Sequence, residues 1–399
     1  MRALAQARRW AASFGTASPL GGVRTEPGAG YRPGRMRRRR PSQTASFVAL
    51  ARALANDGFT TIPGFADPIA RVLLSPPWKA LHRLMSRSLR RASRARRERV
   101  IAVLDAIPLR VKAIDAELEA AANAGVKQVV ILGAGLDTRA LRMPSLASMD
   151  VFEVDHPATQ AYKRRKTSGM RPLAASLRFV PVDFERSSLI GSLRQSGFDP
   201  GQATVWIWEG VVMYLTDQAV RRTLVDVAWG SAQGSLLLLT YHVPAADGLG
   251  AEARVRSLFL SLWREPQIGL RTTDSMHEAV RGAGFAVLSD TRPAQWAQAL
   301  GAGAPSGHTA EVSRLLVAGR ETALRPPPPG RLQAEPGSTD RSGGVTLWAW
   351  RTQVGAARRW TFAARRFRSS SIARTTKRSS RRSAVPERRC GSLRRTSNS

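Results

Sequence analysis

The residues best placed to do chemistry lie where short apolar runs stop. Gln128–Leu132 (QVVIL) ends in Gly133-Ala134-Gly135. Glycines at the carboxyl end of a buried strand let the backbone turn sharply and approach a ligand closely. The next apolar run, VFEV, ends in Asp155, 20 residues beyond Gly135. An acid about 20 residues past such a turn accepts hydrogen bonds from ribose hydroxyls, and its two oxygens suit a vicinal diol. FVPV ends in Asp183, followed by Phe184; the pair can accept an adenine amino hydrogen bond and pack beside the ring. WIW ends in Glu209, which can hold an ammonium or position a substrate. Each feature has a plain structural reading alone, as a strand–turn–helix connection or a turn-forming Asp. A glycine turn and three acids at the ends of four successive strands point instead to one ligand. A dinucleotide would want a third small residue at position 138, beside its pyrophosphate. Thr138 stands there, so the turn suits a nucleoside without one.

Other chemistries have less support. The five histidines show no HxxxH or HExxH spacing, and the single cysteine, Cys390, lies in a polar tail. Neither a metal enzyme nor a disulfide framework is expected. His156 and His242 are the histidines near the site, and both read more readily as structural. His242, Arg139 and Tyr214 are candidates for lining a substrate pocket.

The elements that must position these residues alternate between strand and helix. Strands are expected at 128–132, apolar without alternation as in a buried parallel strand, and at Val151–Val154, Leu177–Val182, Thr204–Trp208 and Ser235–Tyr241. Helices are expected over residues 111–123, from an N-cap at Thr216 to about Trp229, over Ala251–Trp263 and over Asp274–Ala283. Strands at Phe285–Ser289 and Val312–Ala318 close the set. This alternation predicts an α/β fold, a doubly wound and mostly parallel sheet. Helical spacing also begins at Thr44, with Phe47, Leu50, Ala51 and Leu54 on one face, and resumes from Asp67 to Leu74. Pro76-Pro77 then breaks the pattern ahead of a basic stretch, Lys79 to Arg99, that reads as a solvated helix above the site.

Charge is unevenly spread. The chain carries a net charge of +33. About +9 of it falls in residues 1–45, about +8 in 46–99, about +14 in 321–399 and only about +2 in 100–320. The chemical part is close to neutral, so nucleic acid is a partner only through the basic tails. A nucleic-acid-binding protein with basic arms around a degenerate enzymatic core is the competing reading. Residues 1–43 and 323–399 lack a periodic apolar face and are expected to be disordered, with Met36 a candidate start of translation. No run of about 18 apolar residues exists, so no membrane span is expected, and the expected location is cytoplasmic. The domain organisation expected is a helical lid over 44–109 and an α/β core over 110–322.

The motifs VVILGAGLDTRALRM, VFEVDHPATQAYKRR, FVPVDFE and WIWEGVVMYLT, in that order, resemble the leucine carboxyl methyltransferase family, and most closely its bacterial branch. The resemblance covers roughly Thr44 to Arg320. It implies a class I methyltransferase fold, a seven-stranded Rossmann-like sheet, with S-adenosyl-L-methionine as cofactor and O-methylation of a small-molecule carboxylate. It assigns cofactor contacts to Gly133, Gly135, Asp155, Asp183, Phe184 and Glu209. An R-x-R-x-x-D pattern carries over to Arg110, beside Lys112 and Asp115, as the partner of the cofactor carboxylate. Position 184 is usually leucine in that branch, so Phe184 is a departure at the adenine pocket.

Overall fold

The computed structural model describes residues 42–182, 188–244 and 269–320. Asp183, Phe184, the helix expected at Ala251–Trp263 and both tails lie outside the described residues.

Four helices come first: α1 (Gln43–Asn56), α2 (Ala70–Leu73), α3 (Pro76–Arg91) and α4 (Arg94–Leu104). Ser42 caps α1, its hydroxyl accepting from the Ala45 amide at 2.9 Å. Pro76-Pro77 does end α2, but it also opens α3, because a proline in the first turn gives up only an amide that has no helical partner. The basic stretch is therefore two helices, divided at Ala92-Ser93, with the Ser93 hydroxyl capping the second. Leu50, Leu54, Leu73, Leu74 and Leu89 make one apolar cluster here, joined by Leu136 and Tyr162 from the core.

Helix α5 spans Ala106–Asn123, starting five residues before the expected 111. Pro108 falls in its first turn and does not stop it. The 109/110 boundary expected between lid and core thus lies inside one continuous helix.

The α/β core follows: β1 (Gln128–Leu132), α6 (Arg139–Arg142), β2 (Asp150–Asp155), α7 (Pro157–Lys166), β3 (Ser176–Pro181), α8 (Leu189–Gln195), β4 (Thr204–Trp208), α9 (Asp217–Trp229) and β5 (Leu236–His242). The chain ends its described course with α10 (Thr273–Gly282), β6 (Phe285–Thr291), α11 (Pro293–Leu300), α12 (His308–Val312) and β7 (Ser313–Arg320). One seven-stranded sheet results, ordered β3-β2-β1-β4-β5-β7-β6. Only β7 runs antiparallel to its neighbours.

Successive side chains of each strand enter opposite cores. Val130, Leu132, Phe152, Val154, Trp206 and Trp208 pack on one face, and Val129, Ile131, Val151, Val205 and Ile207 on the other. Burial on both sides explains why these strands read as unbroken apolar runs. The strand order reverses at β1, which has β2 on one side and β4 on the other. A crevice opens at the carboxyl end of such a switch point, and ligands of open α/β sheets bind there.

Candidate active site

The register of β1 with β2 pairs Leu132 with Val154, so Gly133 and Asp155 leave the sheet side by side. Gly133 takes φ of +65° and Gly135 of +51°, a left-handed backbone that glycine adopts without strain. A Cβ on Gly133 would stand 2.5 Å from Cγ2 of Val211. The turn is fastened to β2 twice: the Ala134 amide donates to the Val154 carbonyl at 3.0 Å, and the Gly135 amide donates to Oδ2 of Asp155. Oδ1 of Asp155 accepts from the His156 amide at 2.5 Å. Each oxygen keeps a further acceptor direction. Burial pushes the Asp155 carboxyl up, while the Gly135 and His156 amides oppose the shift.

Glu209 follows β4 across the switch point, and its carboxylate is shared between two guanidinium groups. Oε1 accepts from Nε of Arg110 and Oε2 from Nη2 of Arg139, both at 2.9 Å. Burial alone would raise its pKa, but Arg139 and Arg110 outweigh that and hold the carboxyl below its ordinary value. Arg110 spends only Nε; among the described residues no acceptor meets its Nη atoms. At 7% exposed, Arg110 offers a largely buried cationic fork, of a geometry fit for a carboxylate.

Arg139 is not placed to meet a substrate. It is 1% exposed and spends its nitrogens within the protein, Nε on Asp115 at 2.7 Å, Nη2 on Glu209 and Nη1 on Asp137. Burial works against its charge, and three carboxylates more than restore it, raising its pKa well above the ordinary value. Asp137 is likewise pressed upward by burial, but Arg139, Lys163 and Arg52 bring it down to about 2. This arginine orders the site from beneath.

The other candidate pocket residues are spread along the same edge. Tyr214 sits in a 3-10 turn, Val212–Tyr214, beyond Glu209. Arg271 clamps that turn by donating to the carbonyls of Val212 at 3.3 Å and Leu215 at 3.2 Å. His242 ends β5, 5% exposed, with Nε2 at 3.2 Å from the Ser313 hydroxyl. His156 caps α7, its Nδ1 accepting from the Ala158 amide at 3.2 Å.

Several residues central to this arrangement carried no sequence signal. Glu153, one residue inside β2 from Val154, meets Lys163 of α7 at 2.5 Å, with both side chains buried. Burial drives Glu153 up to about 7; Lys163 opposes the shift, while Asp137 and Asp155 add to it. Asp67 and Arg52 come from the helical segment, and Arg142 reaches Asp115 at 2.7 Å as an ion pair. Partners so far apart along the chain leave no local pattern. An EVD run followed by a lysine ten residues from its glutamate was the one readable trace. Among the described residues no cluster of side chains suits a metal ion, and no helix is long and apolar enough to cross a membrane.

The model of the leucine carboxyl methyltransferase family matches residues 45–228. A protein of Mycobacterium avium is 39% identical over 210 residues, which make up 51% of this chain and 67% of that protein. A Frankia alni protein is 36% identical over 230 residues, 56% of this chain and 79% of the relative. The chain belongs to this family. A third member, from a Mycobacterium species, is 30% identical and is covered over 92% of its length. All three have "S-adenosyl-L-methionine-dependent methyltransferase" in their names. The stretch the family model matches runs from α1 through α9, so the helical segment is as much a family feature as the glycine turn.

Proposed function

We propose that this chain is an S-adenosyl-L-methionine-dependent methyltransferase acting on a carboxylate oxygen of a small molecule. The observation that carries the reading is the carboxyl edge of β1, β2 and β4. There a glycine turn, the acceptor Asp155 and the guanidinium fork of Arg110 stand together. Asp155 would accept the ribose hydroxyls through the lone pairs its amide contacts leave unused. Arg110, steadied by Glu209, would hold the methionyl carboxylate. The cofactor, when bound, supplies a methyl group already activated as a sulfonium substituent. What remains for the protein is to align the acceptor and exclude water, and orientation of this kind is worth about 7–11 kcal/mol.

A carboxylate acceptor is ionised at neutral pH and needs no general base. The two histidines at this edge favour such an acceptor, because His156 caps a helix and His242 meets Ser313. A hydroxyl acceptor would require one of them to be free to take a proton. The test is to incubate the protein with methyl-labelled cofactor and matched panels of small carboxylic acids and alcohols. Base-labile label on an acid is the expected result. Label on alcohols alone would overturn the carboxylate reading.

A further inference from the structure

We infer that Arg52, on α1, is a positioning residue for the glycine turn, acting through Thr138, Asp67 and the Leu136 carbonyl. Arg52 is 4% exposed within a helix, an expensive place for a charge unless it is paired, and its two Nη atoms make the contacts. Its Nη2 donates to the carbonyl of Leu136 at 2.6 Å. Its Nη1 donates to Oγ1 of Thr138 at 3.1 Å and to Oδ2 of Asp67 at 3.0 Å. The Thr138 hydroxyl donates to the same Asp67 oxygen at 2.8 Å and accepts from Nε of Arg142 at 3.0 Å. One donor and two acceptor contacts fill that hydroxyl. Asp67 is itself pinned, its amide donating to Oδ1 of Asn56 at 2.9 Å and its Oδ1 accepting from the Ala70 amide at 3.0 Å.

The consequence lies one peptide away from the ligand. Gly135 donates its amide to Asp155, and the next residue, Leu136, gives its carbonyl to Arg52. The turn is thus gripped from the sheet on one side and from α1 on the other. Helix α1 also covers it, since Cβ of Ala45 lies 3.7 Å from where a Gly135 Cβ would stand. The grip needs a planar fork, which lysine lacks. It also explains why position 138 is a threonine, where a dinucleotide fold has a small residue. Arg142 carries the arrangement on to Asp115 and from there to Arg139 and Glu209. The helical segment therefore does more than cover the site: it sets the shape of the turn.

This inference rests on the cofactor reading for one of its two readouts and is independent of it for the other. The variant to make is Thr138→Val, which keeps the shape and the direct Arg52–Asp67 pair but removes the bridging hydroxyl. In the full chain, measured where unfolding shows the variant fully folded, titration with S-adenosyl-L-homocysteine should weaken at least tenfold. In the ligand-free protein, amide exchange at Gly135 should speed up relative to the β4 amides of residues 205–207. Thr138→Ser should restore both to within twofold, and Arg52→Met, if it folds, should behave as Thr138→Val does. A Thr138→Val protein that is merely less stable, with homocysteine-ligand affinity and Gly135 exchange unchanged, would overturn the inference and leave an anchor only. If the parent itself binds no S-adenosyl-L-homocysteine, the cofactor reading falls, and Gly135 exchange still decides this one.

Discussion

Asp155 and Glu153 lie two residues apart on β2, yet their carboxylates meet different surroundings. Asp155 stands at the carboxyl end of the strand, where two backbone amides partly offset its burial. Glu153 is sealed inside with Lys163. A buried ion pair is weak evidence for stability, because desolvation can exceed the attraction. Here the outcome shows in the proton affinity of Glu153, raised from an ordinary 4.5 to about 7. Between those two values the folded protein binds a proton that the unfolded chain has released, so stability falls as pH rises through that window. The whole effect is worth roughly 3 kcal/mol, at about 1.4 kcal/mol for each unit. Urea unfolding of the parent and of Glu153→Gln at pH 4.5 to 7.5 reads it directly. The stability gap between the two should shift by that order across the window, in favour of the variant as pH rises. Parallel profiles would show that folding leaves the proton affinity of Glu153 unchanged.

At the scale of elements, the turn after β1 is where backbone and packing leave least freedom. Gly133 and Gly135 share a left-handed backbone, but the space around them differs. Gly133→Ala would combine that strain with a clash against Val211, whereas at Gly135 the nearest atom to a new Cβ is at 3.7 Å. The left-handed backbone alone costs about 1–2 kcal/mol for an alanine, so Gly135→Ala should lose about that much. Gly133→Ala should lose clearly more, and Val211→Ala should recover part of the difference. Equal losses at the two positions, measured by urea unfolding, would contradict the geometry.

The elements themselves were largely legible in the chain. The apolar runs 128–132 and 204–208 coincide with β1 and β4, because strands buried on both faces carry a continuous apolar signal. Thr216 marked the start of α9 through its side chain, which accepts from the Ala219 amide at 3.3 Å. Pro76-Pro77 misled in part, since the same residues stop one helix and start another. The single turn α6 and the short α12 have too few residues for any periodicity to show. At the site, the strand ends named the carboxylates, but no local pattern announced which guanidinium each would meet. The sequence offers Arg139 only as a cation that could line a substrate pocket. Its three carboxylate partners, from α5, the turn and β4, converge only in the fold.

Over the whole molecule, the charge that dominates the sequence and the charge that builds the site are different populations. Most of the +33 lies outside residues 100–320. At the site, Arg52, Arg110, Arg139 and Arg142 are matched by Asp67, Asp115, Asp137 and Glu209, one carboxylate for each guanidinium. Breaking one such buried pair costs about 3–5 kcal/mol, because it leaves an uncompensated charge behind; Arg142, 3.7 Å from Asp67, is the ion pair of this set that joins the α/β core to the helical segment. At the site, the Nη atoms of Arg110 meet no acceptor among the described residues, and the Asp155 oxygens keep lone pairs unused. The most direct measurement is calorimetric titration of the folded full chain with S-adenosyl-L-methionine, beside Asp155→Ala. Saturable one-site binding by the parent, weakened at least tenfold in the variant, is the expected result. No binding by a folded parent, or equal affinity in Asp155→Ala, would contradict the assignment of this edge as the cofactor site.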